Sequence, residues 1–168
     1  MKKIFFATVL LTIVGCQQNK IVFVDNVKLM DQYQEKIDME SKFKILAETL
    51  NKKRDSISQA FQIEAQAFQT KADKMSQDLA QKEYGMLQQR GQIIGQQLQQ
   101  EEQQLQSTSQ IEMDSIISTV KKEIKAFGKD KGYTFILGGG EGGSVLYGVD
   151  AKDVTKEVLA LLNEKYKQ

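Results

Sequence analysis

Apolar residues follow three rhythms along this chain. Residues 4–14, IFFATVLLTIV, are a short apolar run behind a Met-Lys-Lys start. Residues 20–25, KIVFVD, hold four consecutive apolar positions, Ile21, Val22, Phe23 and Val24, as a strand buried on both faces would. YTFILGGG and GSVLYGVD repeat that pattern near the C-terminus, and the GGGEGG between them reads as a hairpin turn. Separating the first strand from these two is a long polar stretch, residues 27–132, with apolar residues at helical spacing.

In its first half, Phe43, Leu46, Leu50, Ile57, Phe61, Phe68, Ala72, Met75 and Leu79 recur at intervals of three, four or seven, as a coiled-coil seam does. Ile94, Leu98, Leu105, Ile116, Val120, Ile124 and Phe127 continue the pattern less regularly, with gaps at Arg54, Glu101 and Thr108. One straight rod of this length would hold the strands roughly 150 Å apart at 1.5 Å per residue, so the chain must turn back. The polar, glycine-containing stretch between Ser76 and Gly91 is the expected turn. Two antiparallel arms would then project roughly 70 Å. Gly85, Gly91 and Gly95 should make the distal arm its softest part, since each costs a helix up to about 1 kcal/mol relative to alanine. Finally, DVTKEVLALLNEKY begins with Asp153 as an N-cap and puts Val154, Val158, Leu161 and Leu162 on one helical face.

The fold class is therefore α+β: a long antiparallel helical hairpin, residues 27–132, projecting from a small β-strand body made of residues 20–26 and 133–168 with a C-terminal helix. Three short strands and one helix bury little area, and small sheets with open edges are marginal. Oligomerisation through the strands is the expected remedy, with Ile21, Val22, Phe23, Val24, Phe135, Ile136, Leu137, Val145 and Leu146 as its core.

The N-terminal run has the layout of a secretory signal peptide, and its roughly eleven apolar residues are too few for a bilayer core that needs about twenty. Its end, Ile13-Val14-Gly15-Cys16, resembles the bacterial lipoprotein box, in which the cysteine is acylated and the chain is cut before it. Cys16, the single cysteine, reads as a lipid attachment point, residues 1–15 as a removable signal and residues 16–19 as a tether. An exported lone cysteine has no intramolecular disulfide mate, and acylation also protects the thiol from oxidation.

Removing residues 1–15 changes the balance from 23 basic and 22 acidic residues to 21 and 22. A near-neutral chain without a concentrated basic face is not built for nucleic acid. With no histidine, the commonest acid/base and metal-ligand side chain is missing. GGGEGGSVLYG lacks the Gly-Lys-Ser/Thr ending of a phosphate loop and is followed by a strand rather than a helix. The pairs Glu101-Glu102 and Glu112 with Asp114 read as solvated helix surface. No catalytic, cofactor-binding or metal-binding residue is assigned, and no enzymatic activity is expected. Phe43, Phe61, Phe68, Met75 and Met86 serve either as the contact between the two arms or as adaptable surface for a partner.

KIVFVDNVKLMDQY, the long polar hairpin, KGYTFILGGG and DAKDVTKEVLALLNEKY together resemble the Skp/OmpH family of periplasmic holdase chaperones, over essentially the whole mature chain. The resemblance implies a homotrimer whose strands form a central body and whose arms enclose unfolded outer-membrane proteins without ATP. It carries no catalytic motif. Two features depart from the family: the lipoprotein-type signal, and near-neutral arms with eight basic and nine acidic residues in 31–80 and four and five in 86–128. Gln17 after Cys16 is not the aspartate that resembles an inner-membrane retention signal, so a periplasmic site on the outer membrane is expected. The alternative from another class is a membrane-tethered coiled-coil lipoprotein that scaffolds an envelope complex.

Overall fold

The structure, a computed structural model, describes residues 20–167. The signal and the lipid-attachment reading of Cys16 lie outside them. Strand β1 (Ile21–Asp25) leads into a short helix α1 (Asn26–Gln32), then two long helices, α2 (Gln34–Ala72) and α3 (Gln77–Lys131). Strand β2 (Phe135–Gly139) and helix α4 (Thr155–Tyr166) complete the order. The two strands pair in parallel, with Ile21 opposite Phe135 and Asp25 opposite Gly139. Because β1 and β2 are neighbours in space, the intervening chain has to travel out and return, and α2 and α3 pack against each other to do so.

The element ends are chemically marked. The Asp25 carboxylate accepts from the backbone N–H groups of Val27 and Lys28 at 3.1 and 3.0 Å, starting α1. Those bonds, chiefly the one from Lys28, hold its pKa below the ordinary aspartate value. The cap therefore stabilises the fold above the ordinary carboxylate range and is lost as pH falls through that lowered value. At Tyr33 the backbone is extended (φ −75°, ψ 118°), which separates α1 from α2, and its ring is buried. The first N–H of α2, on Gln34, is satisfied from α4, where Asn163 Oδ1 accepts it at 2.9 Å. Helix α3 ends on Gly132 in the left-handed region (φ 66°), a conformation open to glycine, and Tyr133 N–H closes back on the Gly128 carbonyl at 2.9 Å. At α4, Asp153 Oδ1 accepts from Thr155 N–H at 2.9 Å, while the residue at the cap position is Val154. The capping expectation for Asp153 thus holds in chemistry and is displaced by one residue.

The core lies at the base of the hairpin. Val22 and Val24 from β1, Leu29 and Tyr33, Val154, Val158 and Leu162 around α4, and Ile116, Val120 and Phe127 from α3 are buried together with Met39 and Phe43 at the start of α2. Leu161 is only half-buried. From residue 44 to residue 115 no position is buried, so the arm beyond Phe43 is a two-helix seam with water on both sides. Outward along α2 from the buried Phe43, the half-buried Ala47, Leu50, Arg54, Ile57, Phe61, Glu64 and Phe68 follow at alternating steps of four and three. Four ion pairs cross the seam: Lys42–Glu112 (2.6 Å), Lys53–Glu101 (2.6 Å), Arg54–Glu102 (2.8 Å) and Glu64–Arg90 (2.6 Å). The sequence gaps at Arg54 and Glu101 are therefore occupied by charge pairs. Exposed pairs add little stability, but four of them form together in only one register of the two helices.

Three expectations need correction. GSVLYGVD is not a strand: only an isolated bridge, Gly139 to Val145, forms there, and Leu146 and Tyr147 are 99% and 86% exposed. GGGEGG does turn, with Gly143 N–H on the Gly140 carbonyl and Val145 N–H on the Gly138 carbonyl, but the chain beyond has no neighbouring edge to pair with. The run in β1 is not buried on both faces either, since pleat alternation covers Val22 and Val24 and leaves Ile21 41% exposed. Lastly, the hairpin turns at residues 73–76, before the glycine-containing window, with Ser76 extended (φ −66°, ψ 151°). Gly85, Gly91 and Gly95 all lie inside α3, where a helical glycine is only mildly unfavourable. At Gly91 the missing side chain has a use, because a Cβ there would come within 2.9 Å of Phe61 Cζ across the seam.

These contacts separate two glycines by their neighbours. Gly95 has open space around it, so Gly95→Ala should stabilise the arm by about 0.5–1 kcal/mol in urea unfolding followed by circular dichroism. Gly91→Ala should gain measurably less or lose stability, because Phe61 has to move. Equal gains at both positions would show that Phe61 does not sit on Gly91.

Candidate functional site

No group of side chains able to hold a metal ion is found among the described residues. The buried polar groups have structural partners. Lys165 reaches from α4 to the buried Glu123 on α3, and the Tyr33 hydroxyl donates to Glu35. The Tyr166 hydroxyl donates to Asp38 Oδ2 at 3.1 Å, and the Asn163 amide reaches the Gln32 carbonyl at 3.4 Å. Burial, followed by the bond to Glu35, pushes the Tyr33 hydroxyl's pKa far up, so it stays protonated. Together these contacts tie α4 to the bases of both arm helices. They position the arm.

Among the described residues, two apolar surfaces remain uncovered. The first is the outer face of the sheet. Ile21, Phe135 and Leu137 project from it, 40% exposed or more; the nearby Leu146 and Tyr147 have even less cover, and Val149 is exposed as well. Phe23 on the same face is half-buried because Gly148 closes over it, so tightly that a Cβ at Gly148 would overlap the ring. Of the expected oligomerisation core, Val22 and Val24 are instead used inside the chain, while Ile136 and Val145 are half-buried. Ile136 packs against α3 at Gly128, where a Cβ would lie 3.1 Å from its Cδ1.

The second surface runs along the arms. The five aromatic and methionine positions divide. Phe43 is buried at the seam, Phe61 lies over Gly91, and Phe68 stacks on Tyr84 with ring centroids 6.1 Å apart. Met75 is half-buried at the turn, and Met86 alone of the five is mostly exposed, at 53%. Phe43, Phe61 and Phe68 therefore join the arms. The expected seam residues Leu46 and Leu79 are exposed, and the most exposed apolar positions of the arms are ones the sequence reading passed over: Ile45 and Ile63 on α2, Ile93 and Ile111 on α3. Ile45 and Ile63 follow seam residues Phe43 and Phe61 by two positions, about 200° around the helix, so they point away from the partner helix. Within each helix the two isoleucines are 18 residues apart, which is five turns, so they share one side about 27 Å from each other. The Lys42–Glu112 and Glu64–Arg90 pairs bring Ile45 near the height of Ile111 and Ile63 near that of Ile93. The signal was available in the sequence as bulky apolar residues out of phase with the seam.

The comparisons with known proteins agree with this architecture. The OmpH family, described as outer membrane protein (OmpH-like), matches residues 20–162. Among solved structures, one named an OmpH-like outer membrane chaperone from Caulobacter crescentus CB15 superposes with a TM-score of 0.78 at 16% identity, covering 90% of this chain and 88% of that one. That likeness is one of fold. No curated protein matches. With a family match spanning both strands, both arms and most of α4, the chain belongs to the OmpH-like family of outer membrane proteins.

Proposed function

We propose that this protein is an ATP-independent periplasmic holdase chaperone that binds unfolded outer-membrane proteins and prevents their aggregation. The family match and the chaperone name of the structural relative support the class. The observation that carries the finer reading is the pattern of separated, exposed isoleucines on a long polar arm. An unfolded barrel protein exposes apolar strands that aggregate with one another. Widely spaced apolar contacts, each weak, hold such a chain by avidity and release it readily. In place of Phe43, Phe61, Phe68 and Met75, the isoleucines Ile45, Ile63, Ile93 and Ile111 join the exposed Met86 as the assigned client contacts.

The uncovered sheet face, with Ile21, Phe135, Leu137 and Leu146, is assigned to neighbouring copies in a homotrimer. Acylation at Cys16 would hold this assembly on the periplasmic side of the outer membrane. Labelled fatty acid should enter the wild type and not Cys16→Ser; label in both, or in neither, would contradict the anchor.

The chaperone reading is tested with residues 17–168, purified and weighed by sedimentation equilibrium, where three chains are expected and a monomer would contradict the trimer. An outer-membrane barrel protein diluted from urea into it should show suppressed light scattering near one client per trimer. Replacing Ile45, Ile63, Ile93 and Ile111 together by serine should abolish suppression with helix content retained. Unaltered aggregation with the wild type would instead favour the coiled-coil scaffold, which would capture one stoichiometric envelope partner.

A further inference from the structure

Sulfur side chains are the common targets of oxidants, and this chain presents few of them to water. Cys16 is the single cysteine, and its acylation would leave the methionine thioethers as the remaining oxidisable sulfur. Among the described residues, four methionines are shielded. Met39 is buried in the core, Met30 and Met113 pack against that core, and Met75 is half-buried at the turn. Met86 differs, with 53% of its surface open.

Its surroundings give that exposure a consequence. Met86 precedes the half-buried seam residue Leu87 and stands about 100° around α3 from it, so it flanks the seam and does not fill it. It lines a groove of about 330 Å³ between the arms, with Ala67 and Phe68 on the opposite helix and Leu87 beside it. The Phe68 ring of that lining stacks on Tyr84, and the paired Glu64 and Arg90 border the same groove. The thioether therefore adds apolar surface to the outside of the arm without being part of the core. A polar oxygen on Met39 would disrupt the packed base, whereas one on Met86 would alter only what the arm presents.

We propose that Met86 is a modification site, oxidised to the sulfoxide by hydrogen peroxide, and that this oxidation lowers the arm's hold on unfolded clients. The loss of hold rests on the holdase reading; the selectivity of the oxidation does not. The sulfur attacks one peroxide oxygen and the O–O bond breaks. An S–O bond forms, and the other oxygen leaves as water. Sulfur loses the two electrons that the peroxide gains. A polar, chiral hydrogen-bond acceptor then stands where a flexible apolar group offered contact. The step is reversible: methionine sulfoxide reductase, drawing on two thiols that become a disulfide, returns the thioether and releases the oxygen as water.

The test uses residues 17–168, which contain every element of the fold and lack Cys16, treated with hydrogen peroxide in small excess. Peptide mass spectrometry should show Met86 gaining oxygen about ten times faster than Met30, Met39 or Met113. Fluorescence anisotropy with a labelled outer-membrane barrel protein, diluted from urea, should then report about tenfold weaker binding at unchanged helix content. Methionine sulfoxide reductase with dithiothreitol should restore the binding. Met86→Leu should bind equally with and without peroxide treatment, whereas Met86→Gln should imitate the oxidised protein. Oxidation of the buried Met39 as fast as Met86 would overturn the proposal, and so would a peroxide effect in Met86→Leu equal to that in the wild type. Selective oxidation with affinity unchanged would overturn it too. An untreated protein that binds no client would instead fail the holdase reading, and with it the effect on binding, while the mass readout still decides whether Met86 is the site.

Discussion

Everything in this fold depends on the parallel pairing of β1 with β2. The two strands are separated in sequence by more than a hundred residues, yet Ile21 is registered against Phe135 and Asp25 against Gly139. A parallel pair cannot be closed by a tight turn; it needs a crossover. Here the crossover has been lengthened into α2 and α3 until it is most of the molecule. The strands, α1 and α4 supply the packed base against which the long helices start and finish, and α4 caps the first turn of α2 through Asn163 while Lys165 holds Glu123 of α3. The direction of the arm is set where hydrophobic burial is available, at Met39, Phe43, Ile116 and Val120.

Past that point the physics changes. The seam continues at coiled-coil spacing, but it contains Ala47, Arg54, Glu64, Gly91 and Glu101, and nothing along it is fully buried. Apolar burial alone would specify the register of such a hairpin poorly. Ion pairs spaced along the arm discriminate among registers at little gain in stability, because a slip of one helix past the other breaks all four. The result is an arm that is defined in register and soft in energy. That combination suits a surface meant to hold a variable, unfolded occupant, with isoleucines presented on a polar rod at widely separated heights.

How much of this could be read beforehand follows from which forces are local. The first strand, the helical seam and the amphipathic face of α4 are written in period, and the return of the chain follows from length alone. The site of the turn was missed because a glycine in a polar stretch resembles a breaker, whereas Gly91 is placed by Phe61, a contact thirty residues away. A third strand was expected because Val145 to Val149 has strand composition, and it does not form because no edge lies beside it in this chain. Arg54 and Glu101 looked like defects in the seam, since each has its partner 48 residues distant on the other helix. Phe61 and Phe68 drew attention as candidate contacts because of their size. Size at seam spacing marks the inside of the arm, and the outside is marked by isoleucines out of phase with it.

Native-state hydrogen exchange tests most directly the claim of a packed base bearing a marginal arm. Amides of Val22, Val24, Val158 and Leu162 should exchange only through global unfolding. Those between Ile57 and Leu98 should exchange orders of magnitude faster while circular dichroism reports them helical. Protection as high along the arm as in the base would contradict the account, because it would require burial that the seam does not contain.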